Sequence, residues 1–111
     1  MIGETVKEVV VAVVYIQEFP IVDRKTTNYD FMADRIGDGP FEGLIAHTAG
    51  FDDDDGVFRI VDVWESREHA ERFLAEHVQP MIEQGPQAFP DPAAFTMPTR
   101  DGFYELHHVV R

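Results

Sequence analysis

The spacing of apolar and polar positions changes along the chain, and each change marks a different element. Residues 6–18 are rich in Val and Ile and end shortly before Pro20, which predicts strand 1. In the following segment, TTNYDFMADRI, apolar side chains recur three, four and seven positions apart, as on one face of a helix. This spacing predicts helix 1 over residues 27–36, with Thr27 as its N-cap and Gly37 at its end.

Three more apolar runs have the composition of strands. Residues 43–51 and 57–65 stand on either side of the sequence DDDDG, which predicts a hairpin of strands 2 and 3. Residues 103–110 predict strand 4. Before strand 4, residues 85–102 form a long loop punctuated by proline, which we expect to fold as a lid over the sheet or to wrap a partner subunit.

Helical spacing returns between strand 3 and this loop. Ser66 is the expected N-cap of helix 2. Pro80 lacks an N–H group, so a kink or restart is expected near Gln79. One stripe of the helix carries its apolar side chains and a histidine: Ala70, Phe73, Leu74, His77, Val78, Met81 and Ile82.

The order of elements is β-α-β-β-α-β, which predicts one α+β domain over residues 1–111 with a ferredoxin-like fold. Its sheet is expected to have four antiparallel strands, with strands 1 and 3 in the centre. Both central strands are apolar on both faces, yet two helices cover only one face of a sheet. A second copy of the chain would cover the other face, so we expect a homodimer in which two chains close into a dimeric α+β barrel.

Charge and composition narrow the classes of partner. The chain has 9 Lys and Arg against 21 Asp and Glu, a formal net charge of −12, which argues against nucleic acids and anionic membranes as partners. The absence of cysteine excludes disulfides and thiolate chemistry. The apolar run of residues 9–16 is too short to cross a bilayer, so a cytoplasmic protein is expected.

Neither the acidic turn nor the histidines predict a metal site. The consecutive aspartates of residues 52–55 lack the alternating oxygen ligands and the closing glutamate of a calcium-binding loop. His69 and His77 are eight positions apart, which is not a ligand spacing on a helix. No metal and no cofactor are therefore expected.

Three residues are candidates for proton chemistry. His77 lies on the sheet-facing stripe of helix 2, and histidine is suited to remove a proton from a phenol near neutral pH. Tyr29 lies on the corresponding stripe of helix 1. Asp62 interrupts an apolar strand, where a carboxylate needs a hydrogen-bond partner and is able to orient a histidine. The alternatives are a histidine at the edge of the core, a core tyrosine and a structural carboxylate pair.

Other residues are candidates for binding a substrate. Trp64 shares a strand face with Asp62 and offers a flat wall to an aromatic molecule, although packing is an equal alternative. Phe73 and Met81 flank His77 on its stripe. The pattern of strand 2 does not decide which face of the sheet carries His47. This residue therefore belongs either to the pocket or to a rim or dimer interface. His107 and His108, adjacent on predicted strand 4, would face opposite sides.

The sequence VFRIVDVWESREHAERFLAEHV, in which a strand ends in Trp-Glu-Ser and continues into an amphipathic helix, resembles the dimeric α+β barrel superfamily, in its antibiotic biosynthesis monooxygenase-like branch. The resemblance extends over nearly the whole chain and is strongest over residues 43–82. It implies a pocket between the sheet and its own helices, with a tryptophan at the end of strand 3, where Trp64 stands. It also implies relatives that include cofactor-free monooxygenases, polyketide cyclases and haem-degrading enzymes.

The function that these features predict is a cofactor-independent oxygenation or cyclisation of an aromatic or polyketide-like substrate. His77, with Tyr29 or Asp62, would remove a proton to give a resonance-stabilised anion, which then reduces O₂ or closes a ring. Two alternatives stay open. One is a non-catalytic ligand-binding or structural homodimer in which Trp64 and His77 are packing residues. The other is a haem binder with a histidine as axial ligand.

Overall fold

The computed structural model describes residues 10–111, so residues 6–9 of predicted strand 1 lie outside the described residues. The predicted elements are all found in the described part, in the predicted order. They are β1 (Val13–Pro20), α1 (Thr27–Ile36), β2 (Leu44–Asp52), β3 (Val57–Trp64), α2 (Arg67–Phe73), a π-helical turn (Leu74–Val78), α3 (Gln79–Glu83) and β4 (Arg100–Glu105).

The four strands form one antiparallel sheet in the order β2-β3-β1-β4. This order confirms the α+β class, the central position of β1 and β3, and a ferredoxin-like arrangement. Within residues 10–111, no helix combines the length and the apolar character that crossing a membrane requires.

One face of the sheet, which we call the helix side, carries the main core. Val13 and Tyr15 of β1 lie opposite Trp64 and Asp62 of β3, and these alternate positions point to the same face. Val13, Tyr15 and Trp64 cluster with Ala70 of α2. Partly buried side chains complete this cluster: Phe41, Leu44, Phe73, Leu74 and Phe103.

The other face of the sheet, which we call the open side, carries the intervening residues. Val14 and Ile16 of β1 are buried there, at 3% and 7% exposure. Val63 of β3 is half-buried, and Tyr104 of β4 is 48% exposed. The two apolar faces that the sequence predicts for the central strands are therefore both present, and the open side retains accessible apolar surface.

The second helix is irregular at the place that the sequence indicates. The Ser66 hydroxyl accepts a hydrogen bond from the His69 N–H at 3.2 Å, which confirms the predicted cap. The N–H of Gln79 donates to the carbonyl of Leu74, five residues earlier, before the helix continues through Pro80. The π-helical turn accommodates the proline, which has no N–H to donate and whose ring crowds the preceding turn.

Several predicted boundaries are wrong. Residues 10–12 belong to predicted strand 1 but lie before β1, which begins at Val13 and continues to Pro20. Strand 4 was expected over residues 103–110, but β4 extends from Arg100, in the predicted loop, to Glu105, which pairs with Val13, the first residue of β1. His107 and His108 therefore lie beyond the strand rather than on its opposite faces. Helix α1 has Thr26, not Thr27, at its N-cap, where the Thr26 hydroxyl donates to the Asp30 carboxylate at 2.8 Å.

The long loop packs against its own chain. Phe89 is only 4% exposed, and its ring contacts Phe31 of α1 and Phe95 of the same loop, with centroids 5.8 and 5.0 Å apart. The loop therefore docks on α1, while contact with a partner subunit stays a prediction.

Candidate functional site

Three side chains from three elements form a hydrogen-bond relay on the helix side of the sheet. The Tyr29 hydroxyl lies 2.6 Å from Nε2 of His47. On the other side of the imidazole, Nδ1 of His47 lies 2.5 Å from Oδ1 of Asp62. The Tyr29–His47–Asp62 relay thus joins helix α1, the edge strand β2 and the central strand β3.

The order of the relay determines where its protons lie. A carboxylate accepts hydrogen bonds but does not donate them, so His47 donates through Nδ1–H to Asp62. Nε2 of a neutral His47 then accepts the hydroxyl hydrogen of Tyr29, whereas an imidazolium donates to the Tyr29 oxygen. The Tyr29 hydroxyl is therefore the outer end of the relay, and Asp62 is its inner end.

A β-bulge brings His47 to Asp62. Leu44 lies opposite Trp64 and His47 lies opposite Asp62, so the four residues of β2 from Leu44 to His47 stand against three residues of β3. The irregularity falls between Leu44 and Ala46, and a bulge of this kind re-aims the side chains that follow it. Strict alternation along β2 would have placed Leu44 and His47 on opposite faces, which is why the face of His47 does not follow from the sequence pattern.

Aromatic contacts hold Tyr29 over the sheet. Its ring meets the edge of Phe58 of β3, with centroids 5.3 Å apart. The same ring lies nearly parallel to the His47 imidazole, with centroids 6.2 Å apart and planes 4° apart. Phe51 extends this row of rings by packing at 5.0 Å against Phe58. Edge-to-face pairs of this kind contribute to stability beyond their buried area, so they support the position of the Tyr29 hydroxyl.

Burial and charge shift the pKa values of His47 and Tyr29 in defined directions. The hydrogen bond from His47 to Asp62 raises the pKa of His47, and the negative charge of Asp62 adds to this, while partial burial opposes it. Burial raises the pKa of Tyr29, and the charges of Asp62 and Asp30 act in the same direction. Asp62 itself is only 7% exposed. His47 is therefore a strengthened base, and Tyr29 is kept as a neutral phenol.

A second tyrosine lies beside the relay without joining it. Tyr15 of β1 is the register partner of Asp62 on the side opposite His47. Its hydroxyl donates instead to the Asp101 carboxylate at 2.7 Å, and burial followed by this hydrogen bond raises the pKa of Tyr15. Tyr15 therefore does not compete with His47 for the Asp62 carboxylate. The sequence pattern did not single out Tyr15 or Asp101, because a tyrosine on an apolar strand is an ordinary core residue.

His77, which the sequence pattern favoured as the catalytic base, lies away from the relay. His77 stands on the π-helical turn, with its ring centroid 5.4 Å from that of Phe41 and 5.1 Å from that of Phe73. Among residues 10–111, no hydrogen bond joins His77 to Tyr29 or Asp62. A shallow depression of about 140 Å³ runs past His77, Phe41 and Phe73.

The predicted binding residues Trp64 and Phe73 belong to this second region of the helix side. Trp64 is 1% exposed and packs on Phe73, with centroids 5.2 Å apart. Its indole N–H has no hydrogen-bond partner within the described part of the chain. Met81 is half-buried on α3. Trp64 is thus a core residue in the single chain, and Phe73 connects it to His77.

Two arginines pair with part of the acidic turn. Arg59 donates to Asp52 at 2.8 Å and to Asp55 at 3.2 Å, and Arg24 pairs with Asp53. Over residues 10–111, the side chains form no cluster of three or more His, Asp or Glu residues suited to hold a metal ion.

Comparison with known proteins supports the fold and leaves the activity open. No protein-family model matches the chain, and no curated protein is significantly similar to it in sequence. The fold is similar to the crystal structure of PA3566 from Pseudomonas aeruginosa, with a TM-score of 0.56 and 12% sequence identity. The alignment covers 94% of this chain and 100% of that chain, so the similarity extends over the whole domain.

Proposed function

We propose that this protein is a small-molecule enzyme that removes a proton from an aromatic or polyketide-like substrate without a cofactor. The observation that supports this proposal is the Tyr29–His47–Asp62 relay, in which a buried carboxylate orients a half-exposed histidine. His47 takes the role of base that the sequence pattern assigned to His77, because His47 has the carboxylate partner and the raised pKa.

The proton moves along the relay in one direction. The oxygen of Tyr29 receives the proton of the substrate while the hydroxyl hydrogen of Tyr29 passes to Nε2 of His47. Asp62 accepts the hydrogen bond from Nδ1–H and stabilises the imidazolium that results. The raised pKa of Tyr29 disfavours a free tyrosinate, so the two transfers occur together.

The substrate keeps the electron pair of the broken bond. A resonance-stabilised anion forms, and its electrons either reduce O₂, which leads to oxygenation, or form a bond to a carbonyl carbon of the same molecule, which closes a ring. The general resemblance to cofactor-free monooxygenases and cyclases supports this pair of outcomes.

A paired substitution tests the proposal. A panel of hydroxylated aromatics and 1,3-diketones is assayed for O₂ uptake and ring closure with the wild type, His47→Ala and His77→Ala. We expect kcat to fall by about 100-fold to 10,000-fold in His47→Ala, the usual contribution of a general base. His77→Ala is the matched control and should retain kcat within about tenfold, since His77 packs on the rings of Phe41 and Phe73, away from the relay.

Two results would contradict the assignment. Equal turnover by the wild type and His47→Ala would remove His47 as the base. A loss confined to His77→Ala would return that role to the residue on the π-helical turn.

We also propose that the protein acts as a homodimer, closed through the open side of the sheet. Both helices contribute to the helix side, through Tyr29 of α1 and Ala70 of α2. The open side keeps the half-buried Val63 and the 48% exposed Tyr104. A two-fold partner that places the same face on itself would cover these side chains.

A further inference from the structure

Helix α1 is held in place by a few side chains rather than by a buried core. None of its residues is buried, although it carries Tyr29, the outer member of the relay. Tyr29 and Phe31 make ring contacts, and Asn28 makes polar ones. A helix with so little buried surface needs specific contacts to fix its orientation.

Asn28 makes the most specific of these contacts. Its Nδ2 donates to the carbonyl oxygen of Asp91 at 2.8 Å, and its Oδ1 accepts the N–H of the same residue at 3.0 Å. The side-chain amide thus binds both backbone groups of one residue, as a neighbouring strand would. Asp91 lies in the long loop, directly before a short 3₁₀ turn at Pro92–Ala94, and the buried Phe89 anchors that loop to α1.

We propose that Asn28 is a positioning residue that sets the Tyr29 hydroxyl against His47. Successive residues on an α-helix point about 100° apart, so fixing Asn28 on the loop also fixes the rotation of α1 that directs Tyr29 to the sheet. The long loop then has a definite role, which is to present the backbone of Asp91 to the helix. This inference rests on the proposed function of the Tyr29–His47–Asp62 relay.

The amide group is the feature that the contact requires. Alanine removes both the donor and the acceptor, and glutamine retains them but carries them one methylene further from the helix. Alanine has a higher helix propensity than asparagine, so Asn28→Ala does not weaken α1 itself. Misplacement of Tyr29 in this variant would therefore report the lost contact with Asp91.

A double-mutant cycle on the titration of His47 tests the inference without a known substrate. The midpoint of the His47 imidazole is measured by NMR in the wild type, Tyr29→Phe, Asn28→Ala and the double variant. We expect Asn28→Ala to shift the midpoint in the same direction and by the same amount as Tyr29→Phe. The double variant should show no further shift, because Asn28 acts through Tyr29.

Two other variants sharpen the comparison. Asn28→Gln should reproduce the shift of Asn28→Ala. Asp34→Ala, a change at an exposed position of the same helix, should leave the midpoint unchanged. If Tyr29→Phe shifts the midpoint but Asn28→Ala and Asn28→Gln do not, the positioning role is wrong and the relay stands. If Tyr29→Phe causes no shift, the titration of His47 does not depend on the Tyr29 hydroxyl and the positioning inference is wrong, while the His47–Asp62 pair is tested separately by Asp62→Asn.

Discussion

At the scale of single residues, the partnership of His47 and Asp62 defines the site. A carboxylate on an apolar strand predicts a hydrogen-bond partner, because a buried charge without one is unstable. Removing one partner of a buried pair costs about 3 to 5 kcal/mol. The sequence therefore indicates that Asp62 has a partner and allows that this is a histidine. It does not identify His47, because the bulge between Leu44 and Ala46 resets the alternation of β2.

At the scale of elements, helix 2 shows which irregularities a sequence reveals. Ser66 and Pro80 predict the start of the helix and its interruption, and both are found. The π-helical turn before Gln79 was not predicted, because the sequence shows where Pro80 interrupts the helix but not which backbone hydrogen bonds form around it. His77 lies on that turn and meets Phe41 and Phe73 rather than the relay.

The two helix caps provide a prediction at this scale. Ser66→Ala should lower the free energy of unfolding by about 1 kcal/mol, because the hydroxyl of Ser66 accepts the N–H of His69. Thr26→Ala is the matched control and should cost less, since the Thr26 hydroxyl bonds a side chain and caps no backbone N–H. Urea unfolding of both variants measures the difference. Equal losses would contradict the prediction, because the backbone cap of Ser66 would then stabilise its helix no more than the side-chain bond of Thr26 does.

At the scale of the whole molecule, the fold was the most predictable feature. The order of elements and the apolar character of β1 and β3 predict a ferredoxin-like sheet with these strands in the centre, and the structure confirms it. Both ends of β4 and the start of β1 were mispredicted, because the length of a strand depends on the partner with which it pairs, here Val13 to Glu18 of β1 with Arg100 to Glu105 of β4. Pairing lengths of this kind are set by tertiary structure and leave no local pattern.

The proposed dimer gives the prediction at the scale of the whole molecule. Tyr104→Asp puts a charge on the open side of the sheet, so we expect light scattering at micromolar concentration to show a dimer for the wild type and a monomer for this variant. Val22→Asp is the matched control, because Val22 is 85% exposed in the turn between β1 and α1, and it should remain dimeric. A wild-type protein that is monomeric at this concentration would contradict the proposed interface.

The central claim, that Asp62 makes His47 a strengthened base, is tested most directly by an NMR titration of His47 in the wild type and in Asp62→Asn. The hydrogen bond and the charge of Asp62 raise the pKa of His47, so the wild-type midpoint should lie above the value of about 6.5 found for unperturbed histidine. Replacing the carboxylate by an amide removes the charge and should lower the midpoint. A wild-type midpoint at or below about 6.5, or one that Asp62→Asn leaves unchanged, would contradict the relay.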